Sequence, residues 1–502
     1  MKRSIYLIIL FAFMLRLGLG ITASRLLPSV GYVSKAQQAG YLFFDAYRRD
    51  SQAWDLAQSS KPLINAFNGK FSTDQYGGLL WISALIYRYL SFGTHQPLLI
   101  VFLAALVGSS GIIFVYLIAR RITGDATNKT GLYAVLIFAF FPESILLGAS
   151  QMREPFLMTL IAMSFYGLVE WQSTHQKKSW IWIAISFSGM LLLSPGFVVV
   201  TLVAAAGWIQ LSNAIGSGTD KAKENNAGGK ISWLITAGGV VLMLVALTTL
   251  AASWDSLVSA KGSGLFGIIG SWARETTRWN AYLLERSSGI VQVLFQALPP
   301  ALAFPFVAVY GVLQPVLPAV LFEPSIPFWQ IMGIFRAMGW YLLLPLVAFA
   351  LFSSHTDMKN DQQTAVFPAN RKQWLWLGLV VWGWIVIAAL RGGGDQWDNP
   401  RYRVILLVWM ALLAANAITG LTKTSTKSSE MAEDNANRRW FWRICCVETI
   451  ILLVFGHWYS WRYLGFGFNI GIRYTLVLAI GLSLLVVLGD WVLQRIKPSY
   501  RL

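Results

Sequence analysis

The sequence predicts an all-α, polytopic membrane protein, and three observations carry that prediction. Of its 502 residues, 56% are hydrophobic, and the mean hydropathy is +0.56. The apolar residues form runs of about 20, the length at which a helix crosses roughly 30 Å of hydrocarbon. Lysine and arginine collect between the runs, as positive-inside topology requires. We therefore expect about 12–13 transmembrane helices.

The first predicted span follows Lys2 and Arg3, and we interpret it as an uncleaved signal anchor with a cytoplasmic N-terminus. The short basic connections between the later runs are assigned to the cytoplasm. The predicted crossings are 5–22, 98–119, 131–148, 156–170, 179–194, 196–212, 232–252, 337–353, 374–390, 404–420, 444–457 and 474–493.

Two further apolar stretches are not assigned as ordinary spans. Gly77 to Leu90 is amphipathic and short, so we expect it in the outer interface, within a first outer loop formed by 23–97. The region 296–322 is interrupted by prolines, which free backbone groups that other protein groups must satisfy. This favours a hairpin or re-entrant element. If the region 253–336 contributes an even number of crossings, all the basic connections lie in the cytoplasm. Both termini are then cytoplasmic as well.

We expect two transmembrane modules. The first is 1–212 and includes the outer loop 23–97, and the second is 213–502 and includes a large outer loop at 253–336. The polar segment after residue 212 is typical of a flexible linker.

The composition excludes several classes of function. The net charge of +17 follows from positive-inside topology and does not indicate nucleic acid. Cys445 and Cys446 are adjacent, so they form neither a disulfide framework nor a metal-ligand set. The four histidines are scattered, which argues against zinc. A GxGxxG match at 262–267 has no strand before it, so we reject a dinucleotide site.

An acidic and basic segment follows the first span. It reads YLFFDAYRRDSQAWDLA and combines Asp45, Asp50 and Asp55 with Arg48 and Arg49. A partly desolvated carboxylate at the membrane surface is suited to act as a general base, and nearby arginine would keep it ionised. The alternative is a helix cap or a solvated amphipathic helix.

Two glutamates flank the predicted outer turn after the third span, in FPESILLGASQMREPF. Glu143 follows a proline and is expected within the membrane, where an ionisable group is costly and usually has a partner or a function. Glu154 precedes Pro155 at the start of a helix, where the helix dipole favours an acidic residue for structural reasons alone.

The predicted outer loop RGGGDQWDNPRYR contains Arg391, Arg401 and Arg403 and therefore departs from the positive-inside rule. Paired guanidinium donors suit a lipid phosphate. The alternative is a loop in which the arginines pair with Asp395 and Asp398.

The order of these motifs resembles the GT-C membrane glycosyltransferases, the superfamily that includes protein O-mannosyltransferases and the lipid A aminoarabinose transferase. The resemblance covers about residues 1–175 and rests on RDSQAWDLA after the first helix, YLIARRITG at 116–124, and Pro142 followed by Glu154. NPRYR at 399–403 is like the basic outer turn of many such enzymes. The acidic motif is not a plain Asp-Asp or Asp-Glu pair, so either Asp45 or Asp50 is left as the base.

The resemblance implies a GT-C-like fold in the plasma (inner) membrane and an active site on its outer, periplasmic or extracytoplasmic face. A polyprenyl-phosphate-linked sugar would be the donor, and a glycan, lipid or protein the acceptor, with inversion at the anomeric carbon. Glu154 and Glu143 would orient hydroxyls. Sugar rings would stack on aromatic residues, and cations would stabilise the departing phosphate. The aromatic candidates are Tyr47, Trp54 and Tyr76; the cationic ones are Arg48, Arg49, Lys61, Arg391, Arg401 and Arg403.

No cofactor is assigned with certainty. Cationic side chains would suffice without a metal, but Asp50 and Glu154 would also suit a shared divalent cation, Mg²⁺ or Mn²⁺. Two other functions stay open: a lipid-linked polysaccharide polymerase or ligase, with its chemistry in 253–298, and a lipid-linked sugar transporter. A transporter needs ionisable groups in several spans, and the apolar runs are nearly free of charge.

Overall fold

The computed structural model describes residues 3–68, 77–123, 129–213, 299–352, 369–392, 394–422 and 428–496. Within these ranges the chain is helical and contains no strand. The predicted all-helical fold is therefore confirmed. The predicted span 232–252, the outer segment 253–298 and Tyr76 lie outside the described residues.

Proline sets the start of many helices, because at the first helical position its missing N–H costs nothing. Up to residue 213 the helices are α1 (Arg3–Val30), α2 (Lys35–Gln38), α3 (Phe44–Gln58), α4 (Gly78–Tyr89), α5 (Pro97–Ile122), α6 (Lys129–Phe140), α7 (Pro142–Gly148), α8 (Glu154–Thr174), α9 (Ser179–Leu193) and α10 (Pro195–Asn213), with a 3₁₀ turn at Leu63–Phe67.

The described helices after residue 298 include several that are long enough to cross a membrane. They are α11 (Pro300–Leu313), α12 (Leu317–Phe322), α13 (Pro327–Phe352), α14 (Arg371–Gly392), α15 (Asp398–Arg403), α16 (Leu407–Thr422), α17 (Ser428–Leu464) and α18 (Ile472–Ile496), with a 3₁₀ turn at Val404–Leu406. The proline-interrupted region 296–322 thus contains two short helices in its described part.

Eight helical segments of the described chain are long and apolar enough to span a membrane, or nine if the bent pair α6–α7 is one span. The eight coincide with predicted spans. Two other predicted spans, 156–170 and 179–194, are helical but are not counted among the eight. Helix α8 is less apolar because it carries Glu154 and Glu170, and α9 is short, with 15 residues. The count of 12–13 therefore exceeds what the described residues support.

The predicted crossing 131–148 is two helices rather than one. The axis bends by 51° between α6 and α7. Phe141 is extended there, and Pro142 opens α7, since proline cannot donate to the preceding turn. Glu143 therefore lies in the first turn of a short helix, where it is buried, and not within a continuous span.

The described residues group into two compact units, and each is considered by itself. One takes in the chain up to Arg278 with Asp357–Trp384 and Arg401–Ala415; the other takes in Trp279–Thr356, Ile385–Pro400 and Asn416–Leu502. In the first, α5 packs on α1 and α8, and α8 on α9. The expected modules 1–212 and 213–502 stay a prediction.

The first span contains a charge that the hydropathy pattern did not emphasise. Arg16 of α1 is fully buried, and it donates to the Ala12 carbonyl at 3.0 Å and to Ser144 Oγ at 2.9 Å. A side chain at Gly148 would collide with it. Arg16 thereby connects α1 to α7, which helps to position the turn that leads to Glu154.

Candidate active site

Helix α3 presents two different faces. Its buried residues, spaced three and four apart, are Ala46, Arg49, Asp50, Ala53, Leu56 and Ala57. Of these, Ala53, Leu56 and Ala57 pack toward α4 and the 3₁₀ turn. Arg48 and Asp55 are exposed. This helical spacing divides the acidic segment. It turns Asp50 and Arg49 inward and leaves Asp45 at the edge.

Asp50 is a buried carboxylate with three donors. Its Oδ2 accepts from the Tyr41 hydroxyl at 2.6 Å and lies 2.6 Å from His95 Nε2, while its Oδ1 accepts from the Tyr87 hydroxyl. The Asp50 side chain is 0% exposed and that of His95 is 31% exposed. Asp50 therefore has no open face toward solvent.

The two tyrosines are fixed as donors. Burial raises the pKa of Tyr41 and of Tyr87 above the ordinary phenol value, and the Asp50 carboxylate raises both further. An ionised phenol beside a buried carboxylate would repel it, so both hydroxyls keep their protons. Tyr87 comes from α4 and Tyr41 from the connection between α2 and α3.

An open cleft of about 420 Å³ lies on the far side of these partners. Trp54 stacks on the imidazole of His95, with ring centroids 5.0 Å apart and planes 20° apart. The lining residues are Ala39, Tyr41, Tyr47, Ser51, Trp54, Asp55, His95 and Pro97. Aromatic faces beside hydroxyl, carboxylate and imidazole groups suit a sugar or another polyol. A smaller cavity of about 180 Å³ shares Ala39, Tyr41 and Pro97 with the cleft.

A second charged group is centred on Arg401. Its Nη1 donates to Asp45 Oδ2 at 2.9 Å, and its Nε lies 3.0 Å from Glu154 Oε1. Asp45 is 50% exposed, whereas Glu154 is 1% exposed. Glu154 opens α8, where the helix dipole stabilises a carboxylate. All three residues belong to the first unit.

The Arg401–Glu154 contact is a close ion pair without hydrogen-bond alignment. Neither oxygen of Glu154 accepts an oriented hydrogen bond from a described residue, although both are buried. Buried carboxylate oxygens normally have donors, so this one has unused acceptor capacity.

The other predicted cations divide by burial. Arg49 is buried and donates to the Gln151 carbonyl at 2.9 Å, which connects α3 to the turn before α8. Arg403 is buried in the first unit. Arg48 and Lys61 are exposed. Arg391 is also exposed, but it belongs to the second unit.

The loop that carries Arg391 uses one of its aspartates as a cap. Asp395 Oδ1 accepts from the backbone N–H groups of Trp397 and Asp398 at 2.7 and 2.8 Å. Arg336 places its guanidinium 4.4 Å from the Trp397 ring centroid. Asp395 therefore shapes the turn before α15.

The structure thus brings together Asp45, Glu154 and Arg401 as one group. Asp50 lies apart, with Trp54 and Tyr47 beside its cleft. Glu143 is buried in α7. The described residues contain no set of three or more His, Cys, Asp or Glu that would hold a metal ion. The oxygens of Asp50 face Tyr41, Tyr87 and His95, whereas Glu154 is paired with Arg401. These two carboxylates therefore do not fit the shared cation considered from the sequence, and we derive no step through one.

Three site residues were not predicted: His95, Tyr41 and Tyr87. His95 lies in SFGTHQP, a polar connection just before α5. Its 45-residue separation from Asp50 carries no pattern that a sequence would reveal. The signal available was one histidine in the loop that we predicted to be outside and that already held the acidic motif.

The match to a family model points the same way as the motifs. Residues 60–252 match the family described as dolichyl-phosphate-mannose-protein mannosyltransferase. This match confirms the resemblance to the GT-C membrane glycosyltransferases. The matched region includes Glu143 and Glu154 and begins after Asp50.

Among solved structures, the chain has a match to the archaeal oligosaccharyltransferase AglB from Archaeoglobus fulgidus, in complex with an inhibitory peptide and a dolichol-phosphate. The TM-score is 0.43 at 13% identity, and the similarity covers 90% of this chain and 55% of that chain. This chain thus spans about half the length of AglB. No curated protein matches the sequence.

Proposed function

We propose that this chain, a membrane glycosyltransferase of the GT-C superfamily, transfers a sugar from a polyprenyl phosphate to an acceptor on the outer face of the membrane, with inversion. The family match supports the reaction class and the polyprenyl phosphate donor. The arrangement of Asp45, Arg401 and Glu154 supports the specific site. It joins the motif after the first helix, the start of α8 and the basic turn near residue 400.

Arg401 is the residue that we assign to the donor phosphate. A guanidinium offers five N–H donors in a plane and matches phosphate oxygens in pairs. Glu154 is buried and holds the guanidinium in place. Asp45 is half-exposed, so a phosphate displaces it at small desolvation cost. The donor thereby replaces one carboxylate while Arg401 stays anchored to the other.

The reaction is a single displacement at the anomeric carbon. The acceptor oxygen forms a bond to that carbon and loses its proton to a base. The bond between the carbon and the phosphate oxygen breaks, and the electron pair leaves with the polyprenyl phosphate. Arg401 stabilises the charge that grows on the phosphate. Arg49 connects α3 to the turn before α8 through the Gln151 carbonyl. Arg403 is buried two residues after Arg401.

The remaining assignments follow from hydrogen-bonding capacity for the buried glutamates and from exposure for the other residues. Glu154 has acceptor capacity left for a sugar hydroxyl, and Glu143 is assigned an orienting role from α7. Tyr47 and Trp54 line the cleft and offer faces to a sugar ring. Arg48, Lys61 and Arg391 are exposed cations, suited to contacts with lipid headgroups.

Mass spectrometry of co-purifying lipids tests the proposal. The wild-type protein and Arg401→Ala would be purified from native membranes, with Arg439→Ala as the control, an exposed arginine of α17. We expect polyprenyl phosphate or its glycosylated form with the wild type and the control. Arg401→Ala should retain at least about 10-fold less, because a charge-assisted hydrogen-bond pair contributes about 1.5–3 kcal/mol.

Two outcomes would contradict the proposal. Polyprenyl diphosphate-linked oligosaccharide in all three samples would indicate a polymerase, a ligase or a transporter instead. Absence of polyprenyl lipid from the wild type would remove the donor assignment.

A further inference from the structure

We propose that the end of α17 binds the headgroup of a phosphatidylethanolamine lipid, with the phosphate on Arg462 and the ammonium on Glu323. The site belongs to the second unit and takes no part in the proposed sugar transfer. Its residues, which we call the α12–α17 cluster, are Glu323, Trp458, Tyr459, Arg462 and Tyr463.

The cluster lies at the depth of lipid headgroups. The predicted span ends at residue 457, whereas α17 continues to Leu464 and is followed by Gly465 with a φ of +71°. The residues in between read WYSWRYL. Tryptophan and tyrosine collect at the boundary between membrane and water, where their rings are apolar and their polar tips reach the headgroups.

Packing of α12 on α17 brings the acidic residue of the cluster to the basic one. Glu323 directly follows α12, and its Oε1 accepts from the Tyr463 hydroxyl at 3.2 Å. Tyr463 is next to Arg462 in the chain and stacks on Tyr459, with ring centroids 6.1 Å apart. A carboxylate and a guanidinium from distant parts of the sequence therefore meet at one helix end.

Arg462 has donor capacity that the protein does not use. Its guanidinium carbon lies 5.3 Å from the ring centroid of Trp458 and 5.5 Å from that of Tyr463, so cation–π contacts hold it. Its Nη1 is enclosed but has no hydrogen-bond partner among the described residues. Enclosed donors normally have acceptors, which indicates that an external acceptor is required.

Glu323 is a carboxylate without enough compensation. It is half-buried, and this burial raises its pKa above the ordinary glutamate value, although the Tyr463 hydroxyl and the Arg462 charge oppose the shift. Glu323 and Arg462 interact through space, but they do not form an ion pair with each other. A cation placed beside Glu323 would therefore stabilise it, and an anion would do the same for Arg462.

Phosphoethanolamine supplies both charges in one headgroup. A guanidinium binds phosphate oxygens in pairs, and a primary ammonium donates three hydrogen bonds that a carboxylate accepts. The choline group has no N–H to donate to Glu323. A phosphatidylglycerol headgroup has no cation, so its phosphate would face the like charge of Glu323. The cluster should therefore select phosphatidylethanolamine over both.

The surface beside the cluster favours a lipid over a soluble phosphate compound. Large apolar side chains are exposed along it: Leu453 is 68% exposed, Leu464 53% and Leu321, on α12, 43%. None of the most apolar stretch of α17 is buried inside the described protein. Acyl chains can thus lie against α17 while the headgroup occupies the cluster.

Native mass spectrometry of the purified full-length protein tests the proposal. The protein would be mixed with equal amounts of phosphatidylethanolamine, phosphatidylcholine and phosphatidylglycerol that carry identical acyl chains. The wild type should retain phosphatidylethanolamine most. Glu323→Gln should lower the ratio of bound phosphatidylethanolamine to phosphatidylglycerol at least about 10-fold, because it removes a hydrogen bond between charged groups.

Two further variants distinguish the phosphate contact from general charge attraction. Arg462→Gln should weaken the binding of all three lipids, since each has a phosphate. Arg473→Gln is the control, because it removes an equal charge from an exposed position at the start of α18. It should bind as the wild type does. Unfolding would lower all lipids together and would not change their ratio.

Competition identifies the source of the headgroup. Soluble phosphoethanolamine at the same concentration should not displace the lipid, because it lacks the acyl chains. Displacement by it, or by polyprenyl phosphate in preference to phosphatidylethanolamine, would overturn the proposal.

The inference is also overturned if the wild type binds the three phospholipids equally, if Glu323→Gln keeps the wild-type ratio, or if Arg473→Gln loses as much lipid as Arg462→Gln. Each of these outcomes leaves the proposed function standing, because that function rests on Arg401 and other residues of the first unit.

Discussion

At the residue scale, the structure assigns different environments to neighbouring acidic residues of α3. Asp50 is stabilised by hydrogen bonds from Tyr41, Tyr87 and His95, and Asp45 by the charge of Arg401. A buried carboxylate that loses a donor keeps the desolvation cost and loses the compensation. The stability of the site therefore depends on the tyrosines.

Tyr87→Phe should destabilise the protein by about 1–3 kcal/mol, because it removes the hydroxyl that satisfies Asp50 Oδ1. Tyr89→Phe is the matched control, an exposed tyrosine on the same helix, and should change little. Thermal unfolding in detergent would measure both. Equal midpoints for the two variants would contradict the role of Tyr87.

The contacts of Tyr41 and Tyr87 with Asp50 should also make the stability of the protein depend on alkaline pH. The pKa of Tyr41 and of Tyr87 is raised in the fold, by burial first and by Asp50 second, from the ordinary value of 10.0. The unfolded chain loses these protons near pH 10 while the folded protein keeps them. This contribution to stability is therefore complete below about pH 10 and declines as the pH rises further.

The measurement is the unfolding midpoint between pH 8 and 11, compared between the wild type and Tyr87→Phe. The wild-type midpoint should fall more steeply above about pH 10, since it has one more such phenol. Parallel slopes would contradict the assignment.

At the element scale, close approach of helices positions the site. α4 carries Tyr87 and packs on α9, and a side chain at Gly78 would collide with the carbonyl of Leu192. Backbone atoms of a packed helix do not yield to a methyl group. The bend between α6 and α7 acts similarly, because it ends one helix and lets α7 approach Arg16 of α1.

Gly78→Ala should cost about 1–3 kcal/mol, the usual penalty for overpacking. Gly196→Ala is its control near the start of α10, where an added Cβ meets nothing within 4 Å. The control should be neutral or slightly stabilising, as alanine favours helix. Thermal unfolding of both variants tests this prediction. An unchanged unfolding midpoint for Gly78→Ala would show that α4 and α9 can move apart without loss of stability.

At the scale of the whole molecule, membrane orientation follows from charge. The connections assigned to the cytoplasm contain the clustered lysines and arginines, so we predict cytoplasmic termini and an outer-facing site. Lys61 would then lie outside and His175 inside.

Cysteine labelling tests this topology. Lys61→Cys and His175→Cys would be made after Cys445 and Cys446 are replaced by serine, which removes the natural thiols. A membrane-impermeant maleimide should label Lys61→Cys in intact cells, and His175→Cys only after permeabilisation. The reverse pattern would invert the topology and place the site inside.

The sequence by itself determined the helical membrane fold, most spans in the described part of the chain and the polar segments that carry the site. These are local properties: apolar length, proline positions and charge at helix ends are set within a few turns. Asp45, Glu154 and Arg401 were also found, because charged residues are conspicuous in so apolar a chain. The sequence did not reveal where Arg16 lies, nor that 131–148 is divided into α6 and α7.

The tertiary structure alone decided which of these residues meet. Arg401 is separated from Asp45 by 356 residues, and His95 from Asp50 by 45. No periodicity extends over such distances, because contact there depends on how several helices pack. For the same reason burial separates Asp50 from Asp45: a single helix places them five residues apart, and packing against α4 encloses one carboxylate while the other stays at the edge.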